Sequence, residues 1–279
     1  MTGQRRQRLD IATALFLAAM AILLFIVVAP MVQLVLTSLR DTKTGAPTLA
    51  NYVVAYGTSR HITALLNTLM MGAGVTVLSV VFAAPLTWAC ARTDMPGRRF
   101  VRLAVVGAFV TPPYLAAIAW ILLAGPNAGW LNKLWMAATG AEHGILNVFS
   151  FAGIVLVMAT NLFFFLLVFL TSALDMVSSE SEEAANILGA NVWQTTFRIT
   201  FPLILPSLLG GMVVIFLQSI ALFGVPALLS PAAKFPVVTT QLWQFFEYPP
   251  RLQVASAYSV PLVAITVLLF TVQRPSAAA

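Results

Sequence analysis

The side chains best suited to chemistry are concentrated in residues 175–200, a polar island between two apolar runs. Glu182 and Glu183 are followed by Ala184 and Ala185, then by Gly189, and the segment closes on Ile199, Thr200, Phe201 and Pro202. The chemistry on offer is recognition. A glutamate near a helix N-terminus is favoured by the helix dipole and can pair with an arginine on another surface. Small alanines beside it let two surfaces approach closely. Ser179 followed by Glu182 is a capping-box pattern, which predicts a helix over residues 180–188 with Ala184, Ala185 and Leu188 on one face. Gly189 closes that helix, because helices often end on a left-handed glycine. Asn191 and Gln194 repeat the capping pattern, predicting a second short helix to about residue 200 that Pro202 stops.

Other chemistries lack their parts. No GxxxxGK[ST] run is present, so ATP binding must reside elsewhere. No HExxH or paired-histidine spacing exists, and His61 and His143 read as histidines of two separate loops. The single cysteine, Cys90, excludes an internal disulfide framework. No cofactor, metal site or catalytic residue is expected. The polar residues inside apolar runs are Asn67, Thr111, Thr160, Asn161 and Gln218. Two roles are open to them: lining a translocation path, for which Asn161 and Gln218 are the candidates, or bonding between helices.

The elements that must position these residues are membrane spans. Of 279 residues, 60% are hydrophobic and 9% are charged, against roughly a quarter charged in a soluble domain. Such a surface must face a bilayer. Six apolar stretches are long enough to cross: residues 11–36, 65–91, 103–124, 149–170, 203–228 and 255–272, none holding Asp, Glu, Lys or Arg. The first follows Arg5, Arg6 and Arg8 and is longer than a signal peptide's apolar region, so it reads as a retained helix. Those arginines, with Arg92, Arg98, Arg99, Arg102, Arg198 and Arg274, outnumber the Lys and Arg of the opposite loops, which places both termini in the cytoplasm. Residues 129–140, with Trp130 and Trp135, and residues 229–254, ending at Pro249-Pro250, predict interfacial helices on the outside. The absence of embedded ionisable residues argues against an ion-coupled secondary transporter. Nothing convergent suggests an intramembrane enzyme, and the organised loop argues against a mere anchor.

In identity and spacing, Glu183, Ala184, Ala185, Gly189, Ile199 and Pro202 resemble the EAA loop of type I ABC importer permeases, with Phe201 where that family usually has leucine. The run Ala91-Arg92-Thr93-Asp94-Met95-Pro96-Gly97-Arg98-Arg99 extends the likeness, as do Pro112-Pro113-Tyr114, Gly125-Pro126-Asn127 and Tyr258-Ser259-Val260-Pro261-Leu262. These stretches resemble ferric-iron (Fbp-type) permeases and their relatives for aminoethylphosphonate, polyamines and thiamine. The likeness covers about residues 48–274.

The resemblance implies an all-α membrane protein of six transmembrane helices with the type I (MetI-like) permease fold. Residues 1–60 would hold the cytoplasmic tail, first span and external loop, residues 61–273 the transmembrane domain, and residues 274–279 a tail. It also implies partners: cytoplasmic ABC ATPase subunits whose cleft receives the loop, a second permease half of the same or another chain, and a periplasmic substrate-binding protein. The setting would be the lipid of a bacterial inner membrane, with no nucleic acid involved. The chain would perform no catalysis itself. Ferric iron is the first substrate by resemblance. Many iron-type permeases fuse two halves, so the chain is a natural half-permease or an incomplete copy of a fused one.

Overall fold

The computed structural model describes residues 3–273; the expected C-terminal tail at residues 274–279, with Arg274, lies outside the described residues. So do the side chains of Arg5, Arg6, Arg8, Arg102, Ser179 and Glu180. The described chain is helical, with a single β-bridge between Arg40 and Pro47. In order the helices are α1 (Gly3–Ser38), α2 (Ala50–Tyr56), α3 (Ser59–Arg92), α4 (Arg98–Val110), α5 (Pro113–Ala124), α6 (Trp130–Thr139) and α7 (Phe151–Met176). They continue with α8 (Ser179–Ile187), α9 (Val192–Thr195), α10 (Phe201–Ala221), α11 (Gly224–Leu229), α12 (Val238–Phe246) and α13 (Leu252–Gln273).

Among the described residues, five stretches are long and apolar enough to cross a membrane: Ile11–Ser38, Ser59–Arg92, Phe151–Met176, Val192–Ala221 and Leu252–Leu269. The sixth expected span, residues 103–124, is divided between α4 and α5. Thr111 between them is extended, with ψ 119°. Pro112 forces this, because a proline disfavours the helical conformation in the residue before it. Neither Pro112 nor Pro113 has an N–H to continue the ladder. The expected span at 203–228 also ends early, at Ala221, after which Leu222 is extended and α11 begins anew.

Two compact units divide the chain. In one, residues up to Ser59 join Gln244–Ala264. There the Asn51 amide donates to the carbonyls of Ser38 and Arg40, both at 2.9 Å, fastening α2 to the end of α1. Tyr56 packs against Tyr258 with ring centroids 5.6 Å apart and donates to its carbonyl at 3.1 Å. Every side chain from Ile11 to Val28 is exposed and all but a few are apolar, the pattern of a helix whose solvent is lipid.

The other unit comprises Arg60–Trp243 and the segment from Ile265. Its core lies between α7, through Leu162, Leu166 and Leu170, and α10, through Leu208 and Ile215. Gly211 makes this approach feasible: a Cβ there would sit 2.5 Å from Leu166 Cδ1. Phe109 of α4 stacks on Phe164 of α7 at 4.5 Å. Short helices form where the two interfacial ones were expected, as α6 and α12. α6 is held by buried Asn132, whose amide donates to Gly125 O at 2.9 Å and Leu146 O at 2.8 Å while its carbonyl accepts from Leu146 N.

Candidate functional site

The polar loop lies between α7 and α10. α7 runs beyond its expected end at residue 170 to Met176; Val177 is extended, and α8 begins at Ser179. Gly189 closes α8 with φ 84°, a conformation that costs a residue with a Cβ. Ala190 N–H donates to Ala185 O at 3.0 Å, the wide bond of a Schellman closure. Asn191 and Gln194 then form the expected reciprocal cap: Gln194 N donates to Asn191 Oδ1 at 2.9 Å, and Asn191 N to Gln194 Oε1 at 3.0 Å. Thus the helix, glycine corner and second helix stand as the spacing predicts.

Two details differ. Pro202 does not stop the second helix. Residues Thr196–Thr200 form a wide turn in which Phe201 N–H donates to Thr196 O, and α9 runs through it into α10. An α-turn would press the Pro202 ring on the Arg198 carbonyl and leave that carbonyl without its donor. One extra residue in the turn relieves the conflict, and Pro202 then sits in the first turn of α10, where a missing N–H costs little. The second detail is Glu182, expected as a capping partner. Its Oε1 accepts from Thr200 Oγ1 at 2.7 Å and from Arg92 Nε at 3.2 Å.

Arg92 was legible only as a charge that orients the chain. It is the last residue of α3, and its Nη2 also donates to Leu174 O at 3.1 Å, near the carbonyl end of α7, where a cation is favoured. The pair is partly wet, with 22% of the Arg92 and 19% of the Glu182 side chain exposed. Such pairs contribute roughly 0–1 kcal/mol to folding.

The exposed surface of the loop carries large apolar side chains beside polar ones. Ile187 is 86% exposed, Leu188 87% and Trp193 72%, and Trp193 stacks on Phe197 with rings 5.9 Å apart and 12° from parallel. Glu183 and Ala184 share this exposure, whereas Ala185 is buried, so the two alanines face opposite ways rather than forming one small-residue face. Ile199 is half-buried and Pro202 exposed. The two aromatics had a signal that went unread: Trp193 and Phe197 lie four apart on a predicted helix. Behind them is an apolar cavity of about 380 Å³, lined by Pro85 and Trp88 of α3, Leu174 of α7, and Trp193, Phe197 and Ile204.

Of the embedded polar residues, Asn161 and Asn67 bond to other segments, whereas Thr160 and Thr111 bond to carbonyls of their own helices. Asn161 is buried and its amide reaches Thr111 O at 3.4 Å, the carbonyl at the break before Pro112. Asn67 donates to Pro236 O at 2.9 Å, Thr160 to Val157 O at 2.9 Å and Thr111 to Gly107 O at 2.8 Å. Gln218 lies exposed on α10. Among the described residues, no group of His, Cys, Asp and Glu is placed to hold a metal.

Comparison with known proteins follows the same lines. The ferric transport system permease protein FbpB of Actinobacillus pleuropneumoniae is 29% identical over 264 residues, which cover 92% of this chain but 37% of that protein's length. The sulfate transport system permease protein CysW of Synechococcus elongatus is 27% identical over 223 residues, covering 80% of this chain and 76% of that one. Among solved structures, a chain of a bacterial alginate ABC transporter in complex with an alginate pentasaccharide-bound periplasmic protein shares the fold. It has a TM-score of 0.80 at 17% identity, over 98% of this chain and 95% of that one. Residues 93–276 match the family described as binding-protein-dependent transport system inner membrane component, and this span includes the whole α7–α10 loop. The chain belongs to that family.

Proposed function

We propose that the chain is one half of the membrane path of an ATP-driven importer, and that it takes its drive from a separate ATPase seated on the α8–α9 corner. The observation that carries this reading is the corner's surface. α8 is too short to cross a bilayer, yet Ile187, Leu188 and Trp193 project almost freely beside Glu183. An exposed apolar patch rimmed by charge is the mark of a protein partner, and an arginine on that partner would fix its register through Glu183. The chain itself is non-catalytic in this reading. A second permease half completes the path, a periplasmic binding protein delivers the substrate, and both termini of the chain are cytoplasmic.

Ferric iron is the first substrate to test, because likeness to the ferric permease extends over 92% of the chain. Sulfate is the second, because the sulfate permease matches over 76% of its own length. Among the described residues no group of His, Cys, Asp and Glu is placed to hold a cation, and in this reading the binding protein does the selecting.

The test is flux into liposomes. The isolated chain should transport neither radiolabelled ferric iron nor radiolabelled sulfate under a proton or sodium gradient. With the ATPase, the second half and a loaded binding protein, flux should appear and require ATP hydrolysis. Gradient-driven uptake by the isolated chain would refute the reading and make it an ion-coupled transporter.

A further inference from the structure

We propose that Arg92, Glu182 and Thr200 form a latch that makes the α8–α9 corner move as one body with the ends of α3, α7 and α10. Force applied at the corner would then reach all three long helices; this use of the latch rests on the ATPase-docking reading above.

The geometry gathers four elements on two side chains. Arg92 ends α3, and its Nε donates to Glu182 of α8 at 3.2 Å. Its Nη2 donates to Leu174 O of α7 at 3.1 Å. The same Glu182 oxygen accepts from Thr200 Oγ1, at the base of α10, at 2.7 Å. The chain itself links the corner closely to α7 and α10, through residues 177–178 and through α9. It gives no such link to α3, since Arg92 and Glu182 are 90 residues apart in sequence.

Apolar packing does not replace the missing link. The cavity of about 380 Å³ lies between Pro85 and Trp88 of α3 and Trp193 and Phe197 of the corner, where a locked joint would have filled space. Leu174 and Thr200, both engaged by the latch, also line that cavity. The polar contacts therefore bridge the place where packing is loose. A partly exposed ion pair adds little to folding, so its placement points to positioning rather than stability.

Glu182 and Glu183 divide two tasks on one helix. Successive residues of a helix point about 100° apart. Glu183 is exposed, while Glu182 turns inward to Arg92. α8 thus carries an outer contact on one side and the latch on another.

The test uses spin labels at Thr93→Cys, beside the end of α3, and at Ser181→Cys, on the exposed side of α8, in a Cys90→Ala background with the ATPase bound. The distance distribution should be single and narrow with and without nucleotide. Arg92→Leu should broaden it and lower uptake per ATP hydrolysed by about tenfold, while the ATPase is captured at wild-type yield. The effect of the double variant Arg92→Leu/Glu182→Leu should fall short of the sum of those of Arg92→Leu and Glu182→Leu, because the contact the two side chains share is lost only once. Thr200→Val, which removes only a hydroxyl, should give a milder broadening. An unchanged distribution in Arg92→Leu would overturn the latch. So would loss of ATPase capture, which would make the pair part of folding or docking. A wild-type complex that captures no ATPase would instead defeat the docking reading, and the labels, read in the chain alone, would still decide whether the latch holds.

Discussion

Two helix pairs in this chain are joined in opposite ways. α7 and α10 meet along their length through Leu162, Leu166 and Leu170 against Leu208 and Ile215, with Gly211 giving up its side chain to bring the axes close. α8 and α9 meet at a glycine corner, held by one Schellman bond, one reciprocal cap and the contacts of Glu182. The first pair buries the apolar residues at its shared contact. The second leaves Ile187, Leu188 and Trp193 outside. Stability resides in the first pair, and in the proposed reading the second receives a partner. The comparison makes a claim that substitutions can break: damage to the α7–α10 contact should abolish the folded protein, whereas damage to the corner should abolish partnership and spare the fold.

The largest effect belongs to Gly211→Leu. Even the first added carbon would sit 2.5 Å from Leu166 Cδ1, and three more would follow it toward the contact between α7 and α10. Overpacking of this kind costs typically 1–3 kcal/mol and more where backbone must move. Recovery of monodisperse protein in detergent should fall to near nothing, and Gly211→Ala should lie between that variant and the parent. Normal recovery of Gly211→Leu would mean that the close approach is dispensable.

Much of this contrast was legible in the sequence, and what was hidden has physical reasons. The long spans were visible because twenty or so uninterrupted apolar residues have few other uses. Gly189, Asn191 and Gln194 were visible because caps are local, written within a few residues of where they act. Two kinds of feature were not. Pro202 read as a stop because the rule for proline assumes an α-turn before it; the wide turn at Thr196–Thr200 is an alternative that the sequence does not announce. Arg92 read as an orienting charge because its partner is 90 residues away, and no periodicity pairs an arginine with a distant glutamate. The break at Thr111 was half visible: Pro112-Pro113 foretold a disturbance but not that one span would become α4 and α5. Nor does the sequence show that the Asn161 amide reaches Thr111 O, at the proline break.

A smaller loss of stability is expected at the corner's hinge. Gly189 holds φ 84°, and a side chain there costs on the order of 1–2 kcal/mol. Nothing lies within 4 Å of the position a Cβ would take, so the cost is conformational alone. Gly189→Ala should therefore lower stability by about that amount in denaturant titration, with the protein still recovered from the membrane. Loss of expression equal to that of Gly211→Leu would show that the corner is part of the core after all.

The smallest effect on stability, and the sharpest on partnership, is expected from the corner's outer face. Leu188 is 87% exposed, so Leu188→Ser removes almost no buried area and should change unfolding by less than about 0.5 kcal/mol. Glu183 is exposed, and Glu183→Lys should be equally silent in the isolated chain. In the proposed complex with the ATPase the same changes would meet a dehydrated surface. A serine leaves an apolar socket partly unfilled, and a lysine faces the arginine that Glu183 is expected to pair, where like charges in contact cost several kcal/mol. Capture of the ATPase by the tagged chain should therefore fall at least tenfold for Glu183→Lys and less for Leu188→Ser, with both variants unfolding at the parent's denaturant midpoint. A midpoint shift equivalent to several kcal/mol would place these residues in the fold. Capture at parental yield in both would leave the exposed patch without a partner and remove the difference between the two helix pairs.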